Sequence, residues 1–455
     1  MGRNPTDEPT TMLSGWGLYP RSEGRLFEPE TIDELGRKLD RRGAIARGLG
    51  RSYGDPAINA GGQVVGMTRL DRYLGFDEVS GVLRCEAGVS LERIIATFAP
   101  RGWFPMITPG TKYVTVGGCI ANDVHGKGHH AQGSFAVCVQ SMRLMLADGS
   151  VVTASRDENS ELFWATFGGM GLTGIVLEAT IKLRAIETTY YRQKAIVVPN
   201  LDAMLDAFDE NNEIFPYSVA YVDPTSTGER LGRGVLTVGD HARKDELPPR
   251  LAKRPFHVSG GSLASVPFEL PSLTLNPVTI RLVNGTIKNV LAYAAAYAHY
   301  EKFFYPLDAI GHWNRGYGAR GFTQYQFVVP LADGRRTMRA ILQAIVSSGS
   351  LPFLNILKRM GKESGGHLSF PFEGYTFAID FPIRSDTEAL TRRLDAMVCD
   401  AGGRIYLGKD AFLDAASFRA MYPRLDEWRA IKERYDPRGT FTSDQARRLD
   451  LAPGR

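Results

Sequence analysis

The sequence predicts a soluble α+β protein of two or three domains, and three observations lead to this class. The chain has 455 residues, whereas an average domain has about 150. Hydrophobic residues make up 43% of the chain and charged residues 23%, which is typical of a globular protein with a large core. Short strand-like runs alternate with helical stretches, and glycines stand at the joints between them.

Three further properties of the sequence restrict the class of protein: its charge balance, its cysteines and its apolar runs. Lys and Arg outnumber Asp and Glu by only 54 to 50, too small an excess to indicate a nucleic-acid partner. The four cysteines form no C-x-x-C pair, which predicts reduced, mostly buried thiols. The chain has no apolar run of about 18 residues and no signal-peptide core. We therefore expect a cytoplasmic protein without a membrane-spanning helix.

The N-terminal part predicts a compact series of strands and helices. Thr31 precedes a segment with acidic residues early and basic residues late, which favours a helix at 31–41. A second helix is expected at 91–98. Strands are predicted at 44–50, 62–67, 82–86, 142–146, 151–153 and 174–183.

The pattern changes near residue 186. Residues 228–275 are rich in Gly, Pro and basic residues, which predicts a loop-rich region, and 289–300 predicts an apolar helix or lid. Further on, strands are predicted at 324–329 and 375–381, helices at 336–347 and 387–399, and a helical tail from 404. We therefore expect one domain at 1–188, a second at 189–403, and a C-terminal segment at 404–455 that returns to the first.

Three glycine clusters are the most specific motifs in the chain. They lie at 47–55, 109–128 and 168–175. Glycines let the backbone approach a ligand closely, and successive backbone N–H groups can bind a phosphate. One such cluster alone is as compatible with a structural turn, and none of them is a P-loop or a Rossmann motif. The three together, in this order, are much more specific.

The ordered clusters resemble the FAD domain of the vanillyl-alcohol-oxidase family. The resemblance implies a two-domain PCMH-type fold, with FAD bound between the FAD domain and a substrate (cap) domain built on an antiparallel sheet. Many relatives attach FAD covalently through a histidine where this chain has Tyr53, so we expect non-covalent FAD. The residues that the resemblance assigns to the FAD site are Arg47, Gly48, Leu49, Gly50, Arg51, Ser52, Tyr53, Gly54, Pro109, Gly110, Thr111, Thr115, Gly117, Gly118, Cys119, Ala121, Asn122, His125, Gly126, Gly128, His129, Gly171, Gly174, Ile175 and Tyr406.

Further segments are similar to one branch of that family, the oxidases that act on polyprenylphosphoryl ribose. They are GRSYGD (50–55), HWNRGYGARGFTQYQFVVP (312–330), FAIDFPI (377–383) and YPRLDEWRAIKERYDP (422–437). The similarity implies oxidation of the ribose 2-hydroxyl to a ketone, with an NAD(P)H-dependent short-chain reductase completing epimerisation to arabinose. A lipid-linked substrate also implies peripheral contact with the inner face of the plasma membrane. Two alternatives stay open: an alditol or aldono-1,4-lactone oxidase acting on a free sugar, and a flavin-binding protein without activity.

Lys409 is the first candidate for the catalytic proton transfer. Oxidation of an alcohol requires a group that handles the hydroxyl proton, and the resemblance places this lysine at the flavin ring. Without the resemblance, a solvated surface lysine would be the simpler interpretation. Gln324 and Gln326 alternate with Tyr325, so both amides lie on one strand face, where they can bind sugar hydroxyls or simply face solvent.

The remaining candidates come from the same resemblance. His125 and Tyr317 join Lys409 and Gln326 as catalytic candidates. The substrate-binding candidates are Gln324, Lys358, Trp313, Tyr53 and Thr376, with Lys358 suited to a phosphate.

The motif H-x3-H-H at His125, His129 and His130 could suggest a metal site, but no Cys or carboxylate cluster completes it. We therefore expect no metal, and a structural role for His130. By the same resemblance, Ala378 stands where oxidases of this branch carry a cysteine, and Thr376 where they carry an asparagine. These departures leave the substrate open.

Overall fold

Two sheets occupy the N-terminal part of the computed structural model, which describes residues 9–262, 264–271, 277–350, 352 and 354–451. The strands of the first sheet are β1 (Thr10–Ser14), β2 (Arg21–Phe27), β3 (Ala44–Arg47) and β4 (Gln63–Gly66), in the order β1-β2-β4-β3. Those of the second are β5 (Tyr73–Asp77), β6 (Val82–Glu86), β7 (Trp103–Pro105), β8 (Val139–Met145), β9 (Val151–Ser155) and β10 (Ile175–Ala185). Their order is β5-β6-β10-β8-β9, and β7 also pairs with β10.

Helices pack between and beside these sheets. They are α1 (Ile32–Lys38), α2 (Leu91–Phe98), α3 (Val116–Ala121), α4 (His129–Gln132) and α5 (Ser160–Thr166). The predicted cap of α1 is confirmed, because the Thr31 hydroxyl accepts from the Glu34 backbone N–H at 3.1 Å. In α2 the apolar residues at helical spacing are buried, which anchors the helix to the second sheet.

An antiparallel sheet forms the centre of the second part of the chain. Its strands are β11 (Tyr190–Val198), β12 (Tyr217–Val222), β13 (Gly234–His241), β15 (Tyr297–His299), β17 (Phe322–Pro330), β18 (Asn355–Met360), β19 (Gly374–Pro382) and β20 (Arg404–Ile405). They run in the order β15-β11-β13-β12-β18-β19-β17-β20. A short parallel pair, β14 (Ala264–Ser265) with β16 (Ile310–Gly311), lies outside this sheet.

Helices flank this sheet and form the tail of the chain. They are α6 (Leu201–Asn211), α7 (Pro249–Ala252), α8 (Pro277–Ala292), α9 (Tyr300–Phe304), α10 (Leu331–Ser347), α11 (Thr387–Asp400), α12 (Ala415–Met421), α13 (Leu425–Tyr435) and α14 (Asp444–Arg448). The predicted helical tail is confirmed. Among the described residues, no helix has both the length and the apolar character that crossing a membrane requires.

Two local predictions need correction. The expected loop-rich region at 228–275 contains the eight-residue strand β13, whose buried Leu236 and Val238 enter the main core. The expected helix at 289–300 ends at Ala292, and the chain then enters β15, which pairs with β11. In both places pairing with distant strands decides the structure, and local composition does not reveal it.

The C-terminal segment packs against the first sheet. The backbone of Ala44 in β3 donates to Thr440 O and accepts from Thr442 N, so residues 440–442 lie beside the strand that leads into the first glycine cluster. The Trp428 indole donates to Ala165 O at 2.9 Å. The predicted domain boundaries at residues 188 and 403 stay predictions.

Candidate active site

The first glycine cluster follows β3 and presents free backbone donors. No described residue accepts a hydrogen bond from the backbone N–H groups of Leu49, Gly50, Arg51 or Ser52. Gly50 has a φ of 64°, in the left-handed region that glycine adopts without steric cost. Successive free N–H groups in such a turn form a binding site for an anion. This loop therefore fits the diphosphate of the FAD that the resemblance implies.

The second cluster lies directly against the first. Thr115 caps α3 by accepting from the Gly118 backbone N–H at 3.1 Å. A Cβ at Gly48 would lie 2.3 Å from the Thr115 hydroxyl oxygen, so only glycine permits this approach. A Cβ at Gly126 would lie 2.1 Å from Thr108 O. Backbone contact between the loops thus requires glycines at these positions.

The third cluster completes the same region. Met170 N donates to Ala121 O at 3.0 Å, which joins the third cluster to α3. Gly171 and Gly174 have φ values of 80° and 151°, and Ile175 begins β10. The structure thus brings the three predicted clusters together. The Arg47 side chain, by contrast, donates to Ser14 O and Ala57 O and so ties the loop to neighbouring backbone.

The paired strands β17 and β19 supply a buried polar face opposite these loops. Gln324 lies opposite Asp380 and Gln326 opposite Ala378 in the strand register. Both glutamines are almost completely buried, with 2% and 0% of their surface exposed, so the solvent-facing alternative is wrong. Gln326 Nε2 lies 3.0 Å from Thr376 Oγ1 and 3.0 Å from His125 Nε2.

Asp380 is a central residue that the sequence analysis missed. It is fully buried, and its carboxylate accepts from the Tyr317 hydroxyl at 2.9 Å and from the Gln324 amide. Burial raises the pKa of Asp380, while hydrogen bonds from Gln324 and Tyr317 and the charge of Lys409 oppose that shift. Its position two residues after Ala378, on the face that carries the predicted substrate residues, was the available signal.

Lys409 lies on a turn at the edge of the large sheet. Tyr406 N donates to Gln326 O, and Lys409 N donates to Tyr406 O, which fixes the turn beside β17. The Lys409 amine is 5.5 Å from the centroid of the Tyr53 ring, and no described residue accepts a hydrogen bond from it. Burial and the charge of Lys358 lower its pKa, while Asp380 opposes that shift. Lys409 is half-buried, so the alternative of a fully solvated surface lysine is wrong.

His125 is held neutral between the loops and the sheet. Its ring lies 5.1 Å from that of Tyr406, whose hydroxyl donates to Asn122 O at 3.2 Å. Burial lowers the pKa of His125 well below its ordinary value. His125 Nδ1 and Gln326 Oε1 are buried and have no hydrogen-bond partner among the described residues. Buried polar atoms require partners, so this site fits a polar ligand such as a flavin ring or a sugar.

Two further lysines belong to this region: Lys358 lies near Lys409, and Lys127 lies near Lys358. Burial lowers the pKa of Lys358 to about 8, and burial together with Lys358 lowers the pKa of Lys127 to about 7. Lys127 Nζ also donates to Phe303 O. The sequence analysis missed Lys127, although it lies between two glycines in the segment predicted to run beside the flavin. A bound anion would stabilise the charged forms of these half-buried lysines.

Aromatic side chains form one wall of the region. Phe322 stacks on Tyr317 at 4.0 Å between ring centroids, and contacts Tyr53 at 5.5 Å and Trp313 at 5.6 Å. Trp313 thus contacts the site through Phe322 and Tyr317.

The two other histidines of the H-x3-H-H motif make contacts with the cap domain. His129 Nδ1 accepts from Gly361 N at 3.0 Å, and His130 Nε2 donates to Phe215 O at 2.8 Å. In the described part of the chain, no three His, Cys, Asp or Glu residues are grouped so as to hold a metal ion.

Comparisons with known proteins agree with this geometry. A family model described as FAD binding domain matches residues 29–155, and one described as D-arabinono-1,4-lactone oxidase matches residues 320–449. Decaprenylphosphoryl-beta-D-ribose oxidase of Mycolicibacterium smegmatis is 39% identical over 98% of this chain and 99% of its own. An uncharacterised protein of Streptomyces coelicolor is 33% identical over 80% of this chain and 100% of its own. L-gulono-1,4-lactone dehydrogenase of Mycobacterium tuberculosis is 25% identical over 95% of both chains.

Fold, site and matches together define the class: this is an FAD-dependent oxidoreductase with a two-domain PCMH-type fold. Within that class, the chain belongs to the family of the decaprenylphosphoryl-β-D-ribose oxidases. The predictions of fold class, cofactor and enzyme class are confirmed. The roles of individual site residues stay predictions.

Proposed function

We propose that this enzyme oxidises the 2-hydroxyl of a polyprenylphosphoryl-β-D-ribose to the 2-keto sugar, the first half of an epimerisation to arabinose. The observation that carries the proposal is the buried polar face of Gln324, Gln326 and Asp380 beside the unpaired amine of Lys409. Such a face supplies several hydrogen-bonding groups to a sugar. The similarity to the oxidase of M. smegmatis extends over both domains and supports the choice of sugar.

The FAD would be held by the free N–H groups of residues 49–52 and by the adjoining clusters around Thr115 and Gly171. The chemistry that FAD supplies when bound is acceptance of a hydride from the carbinol carbon. We infer non-covalent binding, because Tyr53 stands where relatives carry the linking histidine.

Lys409 takes the hydroxyl proton in this proposal. A lowered pKa makes the neutral amine available near neutral pH, and a neutral amine can accept a proton. Asp380 stabilises the protonated form that results, since opposite charges attract strongly in a buried site. Gln324 and Tyr317 keep the Asp380 carboxylate in place.

The lysines on the other side of the site suit the phosphate of the substrate. Lys358 and Lys127 are both half-buried, and each has a pKa that burial lowers toward neutrality. A bound phosphate would compensate their charges.

A prenyl chain would leave the site past the aromatic wall. Residues 266–270 are fastened beside Trp313, because Val266 N donates to Gly311 O and Leu270 N to Arg315 O. Phe268 in this segment is 63% exposed. An exposed aromatic side chain at this position suits a lipid chain and a membrane surface. We therefore propose peripheral membrane contact for a cytoplasmic enzyme. Completing the epimerisation requires reduction of the 2-keto sugar, so we also propose a short-chain reductase as its partner.

One experiment tests the substrate. Purified protein is mixed anaerobically with a farnesylphosphoryl ribose, and the loss of oxidised flavin absorbance is recorded. Rapid bleaching supports the proposal. The second candidate is oxidation of a free sugar, favoured by the D-arabinono-1,4-lactone oxidase match at residues 320–449. Bleaching by L-gulono-1,4-lactone or xylitol, but not by the lipid analogue, would replace the first candidate with the second.

A further inference from the structure

The turn that carries Lys409 is fastened from behind by the C-terminal helix. Arg448 in α14 donates from Nε and Nη2 to the two carboxylate oxygens of Asp55, at 3.0 and 2.6 Å. The same Nη2 donates to Asp410 at 2.8 Å, and Nη1 donates to Leu413 O at 2.6 Å. One guanidinium therefore joins Asp410, the residue after Lys409, to Asp55, at the end of the first glycine cluster.

The two segments that Arg448 joins are also in direct backbone contact. Tyr53 N donates to Gly408 O at 3.1 Å. A Cβ at Gly54 would lie 1.7 Å from Asp410 O, which leaves no space for any side chain. The distance between the Tyr53 ring and the Lys409 amine thus depends on the packing of residues 53–54 against residues 408–410.

The positive charge of Arg448 stabilises the contact between these two segments. Asp55 and Asp410 are both buried, and Arg448 is the one cation among the described residues that pairs with either. Burial and the charge of Asp410 raise the pKa of the neighbouring Asp395 to about 8, so at neutral pH that carboxyl is mostly uncharged. Without Arg448, two buried carboxylates would face each other unpaired, which is strongly unfavourable.

We propose that Arg448 is a positioning residue for the reaction. By pairing with Asp55 and Asp410 at once, it fixes the Lys409 turn against the Tyr53 segment and so sets the reach of the Lys409 amine to the substrate hydroxyl. In the described part of the chain, the Arg448 side chain hydrogen-bonds to Asp55, Asp410 and Leu413, and not to Lys409 or Tyr53. The inference rests on the proposed role of Lys409.

Three variants test the proposal. Arg448→Met removes the ion pairs, Arg448→Lys keeps the charge but cannot make all four hydrogen bonds, and Arg447→Met is the control. Arg447 is the neighbour in α14 and binds Asn59 and Asp444 instead. Flavin content, thermal unfolding, substrate affinity and the flavin-reduction rate constant are measured for each, with whichever sugar bleaches the wild-type flavin.

We expect Arg448→Met to keep FAD and substrate affinity but to lose about 10²-fold in reduction rate, the usual effect of a misplacement of about 1 Å. Arg448→Lys should recover part of that loss, and Arg447→Met should match the wild type. If Arg448→Met fails to fold, Asp55→Asn/Arg448→Met removes one of the opposed carboxylates and should show the same loss.

Combination with Lys409→Ala separates positioning from general stability. If Arg448 acts through Lys409, Arg448→Met causes no further loss in a Lys409→Ala background. Additive losses, or a normal rate in a flavin-replete Arg448→Met protein, would overturn the inference. A normal rate in Lys409→Ala itself would overturn the proposed role of Lys409, and a wild-type flavin that the lipid analogue cannot bleach would overturn only the proposed substrate.

Discussion

Replacement of Lys409 by alanine should separate cofactor binding from chemistry. The Lys409 side chain makes no hydrogen bond to any described residue, whereas the glycine clusters are held together by backbone contacts. We therefore expect Lys409→Ala to fold and to retain FAD. A group that transfers a proton in the transition state contributes about 10² to 10⁴ in rate, or about 3 to 5 kcal/mol at about 1.4 kcal/mol per tenfold change.

The assay is anaerobic stopped-flow mixing with saturating farnesylphosphoryl ribose. Flavin absorbance before mixing gives the FAD content, and the rate of bleaching gives the reduction rate constant. Lys362→Ala is a suitable control, because Lys362 is an exposed lysine outside the site. The control should behave as the wild type does in both measurements.

Two results would contradict this reasoning. Normal bleaching in a flavin-replete Lys409→Ala protein would remove Lys409 from the mechanism and make His125 or Tyr317 the leading candidate. Loss of flavin from the variant before mixing would show that Lys409 has a cofactor-binding role instead.

Three further predictions follow from the site. Acid precipitation should release the flavin and leave a colourless pellet, because Tyr53 cannot form the histidyl bond of relatives; a yellow pellet would contradict this. The wild-type reduction rate should rise with pH through the lowered pKa of Lys409 and then level off. Asp380→Asn should move the midpoint of this rise to lower pH, because the Asp380 charge raises the pKa of Lys409. An unmoved midpoint would exclude this coupling. Phe268→Ser should weaken binding of the farnesylated substrate in titrations while leaving FAD and a ribose phosphate without lipid unaffected, and equal weakening of both sugars would indicate a structural role.

The elements that the sequence predicted best are those with strong local signals. The helix α1 has its cap and its charge pattern within about ten residues, and α10 has clear helical periodicity. The strand β13 was missed because its pairing partners β11 and β12 lie elsewhere in the chain. Composition cannot reveal a strand whose stability comes from such pairing.

The candidate site shows the same division. The glycine clusters and the two glutamines were predictable from motif and alternation, and the structure brings them together. Asp380 and Arg448 were not, because their importance depends on burial beside residues more than 30 positions away in sequence. A buried charge acquires its role from its partners, and those partners become known only with the fold.

The contact between residues 440–442 and β3 affects the order in which the site can form during synthesis of the chain. The loops at 47–55 and 109–128 are synthesised long before residues 440–442, which bind β3, and before Arg448, which binds Asp55. Domains generally fold in order from the N-terminus. The nascent protein therefore holds an incomplete first sheet, and a Lys409 turn without its Arg448 ion pairs, until residues 440–448 have been synthesised. The site is thus completed late in the synthesis of these residues.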